Sequence, residues 1–172
     1  MKDTVVKQLS SLHWLWLAVV VLGIDRLTKV IAEAELTFAQ ANPIIAGFFD
    51  LTLLYNKGAA FGFLAQAGGW QRWIFTALAV VMSVVLIVWI KKNPVKLWWL
   101  NSGLALILGG ALGNLYDRVM QGKVVDFLSF HFGSYSFPAF NIADMAISCG
   151  AFLLIVDMLF FEKKRLSAQH KE

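Results

Sequence analysis

Aspartates stand where apolar segments meet their loops in three blocks: G-G-A-L-G-N-L-Y-D-R (Gly109–Arg118), V-V-D-F (Val124–Phe127) and F-P-A-F-N-I-A-D (Phe137–Asp144). An aspartate at the centre of a membrane helix costs about 3 kcal/mol on insertion scales, so such groups persist where they pair or perform chemistry. We expect Asp126 and Asp144 to converge at the mouth of a helix bundle. Two converging carboxylates are typical of an acid–base pair.

The composition is that of a membrane protein. Of the 172 residues, 59% are hydrophobic, and the mean hydropathy is +0.67, whereas soluble domains are about 45–50% apolar. Apolar segments long enough to span a bilayer cover approximately residues 12–34, 70–90, 97–115 and 141–161. They predict one all-α membrane domain, residues 1–172, with four transmembrane helices. The net charge of +4 does not indicate a nucleic-acid partner, because the basic residues cluster beside apolar segments.

The segment between the first and second apolar segments predicts a small β-sheet. Phe48–Asn56 is rich in β-forming residues and partly alternates in polarity. Asn42, Pro43 and Gly47 mark turns. We expect an extracytoplasmic cradle at the membrane surface, followed by a short helix or flap within residues 55–69.

Basic residues predict the orientation of the four spans. One side of the membrane would carry Lys2, Lys7, Lys91, Lys92, Lys96, Lys163, Lys164, Arg165 and Lys171. The other side would carry Lys57, Arg72, Arg118 and Lys123. The positive-inside rule then places both termini in the cytoplasm. Asp126 and Asp144 would face the outside, at the edge of the outer leaflet.

The first apolar segment contains charges that distinguish a retained span from a cleaved signal peptide. Asp25, Arg26 and Lys29 follow its apolar core, and charges in this place are not typical of a signal peptide. Asp25 and Lys29 have the favourable i,i+4 order, acid first. An internal ion pair and a catalytic role are both open for them.

The residues that other protease mechanisms require are missing from the sequence or are placed where a structural role explains them. The sequence contains no H-E-x-x-H motif for a metalloprotease. The single cysteine, Cys149, lies within the last apolar segment and is expected to be a small core residue. His131 falls in an alternating segment and is expected on a surface strand. The lysines lie mostly at span ends, where snorkelling explains them. Carboxylates remain.

The spacing of polar residues supports a paired-carboxylate site. Asn141 and Asp144 are i,i+3 and share a helix face, and Asn114 opens a polar face at the end of the third span. If the faces meet, two carboxylates share a water and one proton, since both cannot readily ionise. We expect Arg118 to pair with Asp117. The alternative, in which each aspartate caps a helix or pairs with a base, stays open.

Five ordered blocks resemble those of bacterial lipoprotein signal peptidase, also called signal peptidase II. Besides the three blocks above, they are D-R-L-T-K (Asp25–Lys29) and N-K-G-A-A-F-G (Asn56–Gly62). The resemblance covers nearly the whole chain. Each block alone is weakly specific, but all five in order on four spans are highly specific.

The resemblance implies a membrane aspartic endopeptidase with Asp126 and Asp144 as its catalytic dyad. It implies supporting roles for Asp25, Lys29, Asn56, Gly58, Asn114, Arg118 and Asn141. Family members cleave diacylglyceryl-modified prolipoproteins just before the lipidated cysteine, in the bacterial cytoplasmic (inner) membrane. They need no metal or cofactor, their partners are the substrates and membrane lipids, and globomycin inhibits them.

Two rival functions make different predictions. A presenilin-type intramembrane aspartyl protease would carry a G-x-G-D pattern, which this sequence lacks. A transporter or proton pathway would place acids near the bilayer midplane and often shows an internal repeat. Here the acids lie toward one face, and no repeat is visible.

Overall fold

Helices and a small antiparallel sheet alternate along the chain. The computed structural model describes residues 11–58, 68–133 and 135–162. In order, these residues form helix α1 (Leu15–Glu35), strands β1 (Ala41–Ile45) and β2 (Phe49–Asn56), helices α2 (Gln71–Lys92) and α3 (Trp98–Met120), strands β3 (Val124–Phe132) and β4 (Tyr135–Ser136), and helix α4 (Ile142–Asp157). A 3-10 turn, Leu12–Trp14, precedes α1, and a π-helical turn, Met158–Glu162, extends α4. Most of the predicted flap and the basic residues near both termini lie outside the described residues.

The four helices coincide with the four predicted spans. Two helical runs, Gln71–Lys92 and Ile142–Phe161, are long and apolar enough to cross a membrane by length and composition. Membrane crossing by α1 and α3 stays a prediction. The third span was expected to end near residue 115, but α3 continues to Met120. It continues because Asn114 and Asp117 turn their polar groups into the protein.

The surface of α2 is apolar. In a soluble protein, large apolar side chains on a helix are buried, or their exposure marks a binding surface. In a membrane, lipid accommodates them on most of the helix circumference. The exposed large apolar side chains of α2 are Trp73, Ile74, Leu78, Val80, Val81, Met82, Val84, Val85, Ile87, Val88 and Trp89.

Small residues bring the helices into close contact. Gly109 of α3 lies against Ala18 and Val21 of α1, and Gly110 lies against the backbone of Ala143 in α4. Glycine permits this approach because it has no side chain to separate the two backbones. Away from the sheet, α1, α2 and α3 bury a small cluster of alanine, leucine and isoleucine side chains.

The sheet joins two loops that are distant in sequence. Its order is β1-β2-β3-β4, with antiparallel pairing throughout the named strands. The sequence predicted the sheet between the first two helices and a separate surface strand around His131, which was incomplete, because β3 and β4 from the segment between α3 and α4 belong to the same sheet. Pairing of β2 with β3 sets Leu54 opposite Asp126 and Asn56 opposite Val124. Gly122, with φ +74°, turns the chain from α3 into β3.

The contact at Gly110 yields a stability prediction. A Cβ atom at Gly110 would lie 2.3 Å from the Ala143 carbonyl oxygen, whereas a Cβ at Gly23 of α1 would meet nothing within 4 Å. We expect Gly110→Ala to lower the free energy of unfolding by about 1–3 kcal/mol, because α3 and α4 must separate. Thermal unfolding in detergent measures the change.

Gly23→Ala is the matched control, since it makes the same substitution within a helix. Alanine favours helix formation by about 1 kcal/mol over glycine, so this control should be neutral or stabilising. Equal effects of the two substitutions would contradict the packing argument.

Candidate active site

Two aspartates from different elements meet through a pair of asparagine amides. Asp126 lies in β3 and Asp144 in the first turn of α4. Asn141 Nδ2 donates to Asp126 Oδ1 at 2.7 Å, and Asn114 Nδ2 donates to Asp144 Oδ1 at 2.7 Å. The two amides also touch, since Asn141 Nδ2 lies 3.3 Å from Asn114 Oδ1. The structure thus brings together the four residues on which the paired-carboxylate hypothesis depends.

The start of α4 fixes Asn141 and Asp144. Asn141 is the N-cap of the helix, and its Oδ1 accepts the backbone N–H of Asp144 at 3.0 Å. This bond satisfies one of the N–H groups that a helix start leaves unpaired. The Asn141 amide also donates to the Val125 carbonyl at 3.2 Å. One side chain therefore joins the helix start to β3, beside Asp126.

The environment of Asp126 favours its protonated form. Burial, followed by the charge of Asp144, raises the pKa of Asp126 from 3.8 to about 7, although Asn141, Asn56 and Lys29 act in the opposite direction. A carboxyl group with a pKa near 7 can donate or accept a proton at neutral pH. This is the property that acid–base catalysis requires.

Charged residues lie fully buried beneath the two carboxylates. Lys29 Nζ is 2.8 Å from Asp25 Oδ2 and 2.7 Å from Asp117 Oδ2, so Asp25 and Lys29 form the ion pair that was one of the two alternatives left open by the sequence. Asp117 also pairs with Arg26 of α1. Asp25 Oδ1 accepts the backbone N–H of Ala143 at 2.9 Å. The cluster therefore connects α1, α3 and the start of α4.

The expected Arg118–Asp117 pair was wrong. Consecutive residues of a helix point about 100° apart, and Asp117 faces α1 while Arg118 turns toward the sheet side. Arg118 Nη2 donates to the Gly58 carbonyl at 3.3 Å, and Nη1 donates to the Asn114 carbonyl at 3.3 Å.

Arg118 brings the end of β2 to the site. The Gly58 N–H donates to Asn56 Oδ1 at 2.9 Å, and the Asn56 side chain also hydrogen-bonds Asp126. Every predicted site residue therefore lies in one connected polar network that spans α1, β2, β3, α3 and α4.

A largely apolar cavity opens beside Asp144. Its volume is about 580 Å³. It is lined by Asn56, Arg118, Phe137, Pro138, Ala139, Phe140, Asp144, Met145, Ile147, Ser148 and Cys149. Cys149 was expected to be a core residue, but it is exposed and lines this cavity. The prediction was wrong because an apolar helix does not reveal by composition which face meets its neighbours.

Sequence reasoning missed the pairing of Asp117 and Arg26 in the ion cluster beside the site. A signal was present for Arg26, because it lies next to Asp25 on a helix predicted to cross the membrane. Two adjacent charges need partners on two different faces.

Among residues 11–58, 68–133 and 135–162, no group of three His, Cys, Asp or Glu side chains could hold a metal ion.

The family model of signal peptidase (SPase) II matches residues 17–160. The chain belongs to the signal peptidase II family. Signal peptidase II is a bacterial membrane protease that removes signal peptides from prolipoproteins, and the resemblance seen in the five sequence blocks is thereby confirmed.

Relatives in the signal peptidase II family match the chain over nearly its full length. The lipoprotein signal peptidase of Pseudomonas aeruginosa (strain UCBPP-PA14) is 49% identical over 166 residues, which cover 96% of this chain and 98% of the relative. That of Ectopseudomonas mendocina (strain ymp) is 53% identical over 160 residues, covering 92% and 95%. A bacterial membrane enzyme solved by the in meso method at 2.3 Å resolution is 32% identical, with a TM-score of 0.77, over 86% of this chain and 87% of that one.

The buried ion cluster yields a second stability prediction. Asp117→Asn removes the carboxylate shared by Lys29 and Arg26, and we expect it to cost about 3–5 kcal/mol, because buried cations lose their counter-ion. Glu33→Gln, the same type of change at a partly exposed site of α1, should cost about 0–1 kcal/mol. Thermal unfolding of both variants in detergent gives the comparison. An Asp117→Asn loss no larger than that of Glu33→Gln would show that the cluster does not stabilise the bundle.

Proposed function

We propose that this chain is an aspartic endopeptidase that removes the signal peptide from diacylglyceryl-modified prolipoproteins, cutting just before the lipidated cysteine. The catalytic dyad is Asp126 and Asp144. The observation that carries the proposal is the linkage of these two carboxylates by Asn141 and Asn114 at 2.7 Å each, next to the cavity that Asp144 lines.

The dyad activates water directly. Two neighbouring carboxylates hold one proton between them, and the pair titrates as a unit. The ionised member accepts a proton from the attacking water, while the protonated member donates a hydrogen bond to the scissile carbonyl. Water oxygen bonds to the carbonyl carbon and forms a tetrahedral intermediate. Its collapse breaks the C–N bond, and the leaving amine takes a proton from the dyad.

The asparagine amides hold the carboxylates in place for this reaction. Each amide donates to one carboxylate oxygen, and the Asn56 side chain also hydrogen-bonds Asp126. These donors fix the orientation of both carboxyl groups, so the dyad is positioned before the substrate arrives. Asn56, Gly58 and Arg118 border the same site from the end of β2, where they are suited to hold the substrate backbone.

The substrate reaches the dyad from the membrane. A diacylglyceryl cysteine is anchored in the outer leaflet, and the signal helix that precedes it lies in the bilayer. The apolar cavity along α4 accepts such a lipidated segment, and the β-sheet cradles the peptide on the extracytoplasmic side. Both termini lie in the cytoplasm, as the basic residues predict. Globomycin-type cyclic peptides compete for the same cavity, and no metal or cofactor takes part.

Substitution of either dyad member tests the proposed chemistry. We expect Asp126→Asn and Asp144→Asn each to lower the rate of precursor cleavage by about 100- to 10,000-fold, because an amide can neither accept nor relay the proton. Cleavage is measured with purified enzyme in detergent and a diacylglyceryl-modified precursor, separated by gel.

Asp50→Asn is the matched control for both variants. Asp50 is buried and pairs with His131 at 2.8 Å, away from the two dyad carboxylates. The Asp50→Asn variant should process the precursor at close to the wild-type rate per folded molecule. Retained processing by either dyad variant would remove that residue from the dyad.

The raised pKa of Asp126 predicts the pH dependence of the reaction. A single shared proton is present below the pKa and is lost above it, so kcat should fall as the pH rises through about 7, the pKa of Asp126. Removing the Asp144 charge by Asp144→Asn should lower the pKa of Asp126, because that charge raises it. Infrared difference spectra of the carboxyl group, recorded against pH, measure the second effect without activity. A pKa unchanged by Asp144→Asn would contradict coupling between the two carboxylates.

A further inference from the structure

We propose that Lys29 is a positioning residue of the active site: its ammonium fixes which end of the Asn114 amide faces the dyad. This inference rests on the proposed function and assigns a specific task to a residue outside the dyad. Lys29 touches neither dyad carboxylate in the structure, so its effect passes through Asn114.

The ammonium of Lys29 lies among three side-chain oxygen atoms. It carries N–H donors and no acceptor. It forms ion pairs with Asp25 Oδ2 at 2.8 Å and Asp117 Oδ2 at 2.7 Å, and it donates a hydrogen bond to Asn114 Oδ1 at 3.1 Å. The side chain is fully buried, so water does not supply an alternative partner. The two carboxylates fix the position of the ammonium, and its hydrogen bond fixes Asn114.

The contact with Lys29 determines the orientation of the Asn114 amide. Only the carbonyl oxygen of Asn114 can face a group that is purely a donor. The NH₂ end must then point the opposite way, where it donates to Asp144 Oδ1 at 2.7 Å. A flipped amide would set its NH₂ against the ammonium and its oxygen against the Asp144 carboxylate, and both contacts would be repulsive.

The same orientation extends to Asp126. Asn114 Oδ1 also accepts from Asn141 Nδ2 at 3.3 Å, and that amide donates to Asp126 Oδ1 at 2.7 Å. Asn141 Oδ1 meanwhile accepts the Asp144 N–H. Lys29 therefore sets the direction of the hydrogen bond from Asn114 to Asp144, and the N–H at the start of α4 sets that of the bond from Asn141 to Asp126.

The charge of Lys29 acts on the dyad as well. Among the described residues, the charged groups that act on Asp126 are Asp144 of α4, Arg118 of α3 and Lys29 of α1. β2 contributes only the neutral Asn56 side chain. The cation of Lys29 lowers the pKa of Asp126. Loss of this charge should therefore raise that pKa and move the alkaline limb of the pH–rate profile to higher pH.

The test removes the charge of Lys29 without leaving an unpaired acid. In the double variant Lys29→Met with Asp25→Asn, one base and one acid disappear together, and Arg26 continues to pair with Asp117. We expect kcat to fall about 10- to 100-fold, as for other residues that orient catalytic groups, with KM changed less than about threefold. The alkaline limb should move to higher pH. Lys29→Gln, which retains a donor for Asp117, is the second variant and should shift the limb in the same direction.

Arg26→Met is the matched control. Arg26 is a cation on the same helix and pairs with the same Asp117, but it does not contact Asn114. Its loss should lower the thermal stability while the alkaline limb stays in place. All rates are measured per folded molecule, on the monodisperse fraction in detergent, with a synthetic diacylglyceryl peptide.

The outcomes separate this inference from the proposed function. Suppose that Asp126→Asn and Asp144→Asn abolish cleavage, but the Lys29 variants behave like Arg26→Met and change neither kcat nor the alkaline limb of the pH–rate profile. The positioning role is then wrong and the dyad stands. If the dyad variants still cleave the precursor, both proposals are wrong. If the alkaline limb shifts and kcat falls in the Lys29 variants but not in Arg26→Met, the positioning role is supported.

Discussion

One buried ammonium ion holds the active-site half of the molecule together. Lys29 lies between Asp25 of its own helix and Asp117 of α3, at 2.8 and 2.7 Å. Moving such charges out of water is costly, and the cost is offset only when every charge finds partners of good geometry. Asp25 also accepts the Ala143 N–H at the start of α4. These contacts join α1, α3 and the start of α4.

The close packing of the helices serves the same arrangement. Gly113 of α3 stands where a Cβ atom would lie 2.5 Å from Asp25 Oδ2, so even alanine would press on the ion cluster. Gly110 similarly admits the backbone of Ala143. Asp144 follows Ala143 directly, and its position therefore depends on how closely α4 approaches α3.

The sheet supplies the second carboxylate from a different direction. Asp126 belongs to β3, whose pairing with β2 sets it opposite Leu54. Asn141 then ties β3 to α4 through Val125 and Asp126. The proposed dyad, built from one strand and one helix start, is rigid, since each partner is fixed by backbone hydrogen bonds of its own element. The polar network between the two carboxylates lies at the edge of an apolar cavity, which suits the proposed lipid-modified substrate.

Local patterns in the sequence were sufficient for much of this protein. The four apolar segments predicted the four helices, and the β-forming residues 48–56 predicted β2. The i,i+4 spacing of Asp25 and Lys29 allowed their ion pair as one of two alternatives, and five ordered motifs predicted the family. The motifs also named the residues that the structure brings into one network. These features depend on periodicity and on neighbours within one helical turn, which sequence displays directly.

Only the tertiary structure decided which distant groups meet. Asp117 pairs with Lys29 and Arg26 across 88 and 91 positions, rather than with the adjacent Arg118. The sheet draws β3 and β4 from a second loop, and Cys149 lies in the cavity rather than in the core. The physical reason is common to all three: the partner of a buried charge, a strand edge or a helix face is set by how the elements pack, and spacing along the chain does not record it.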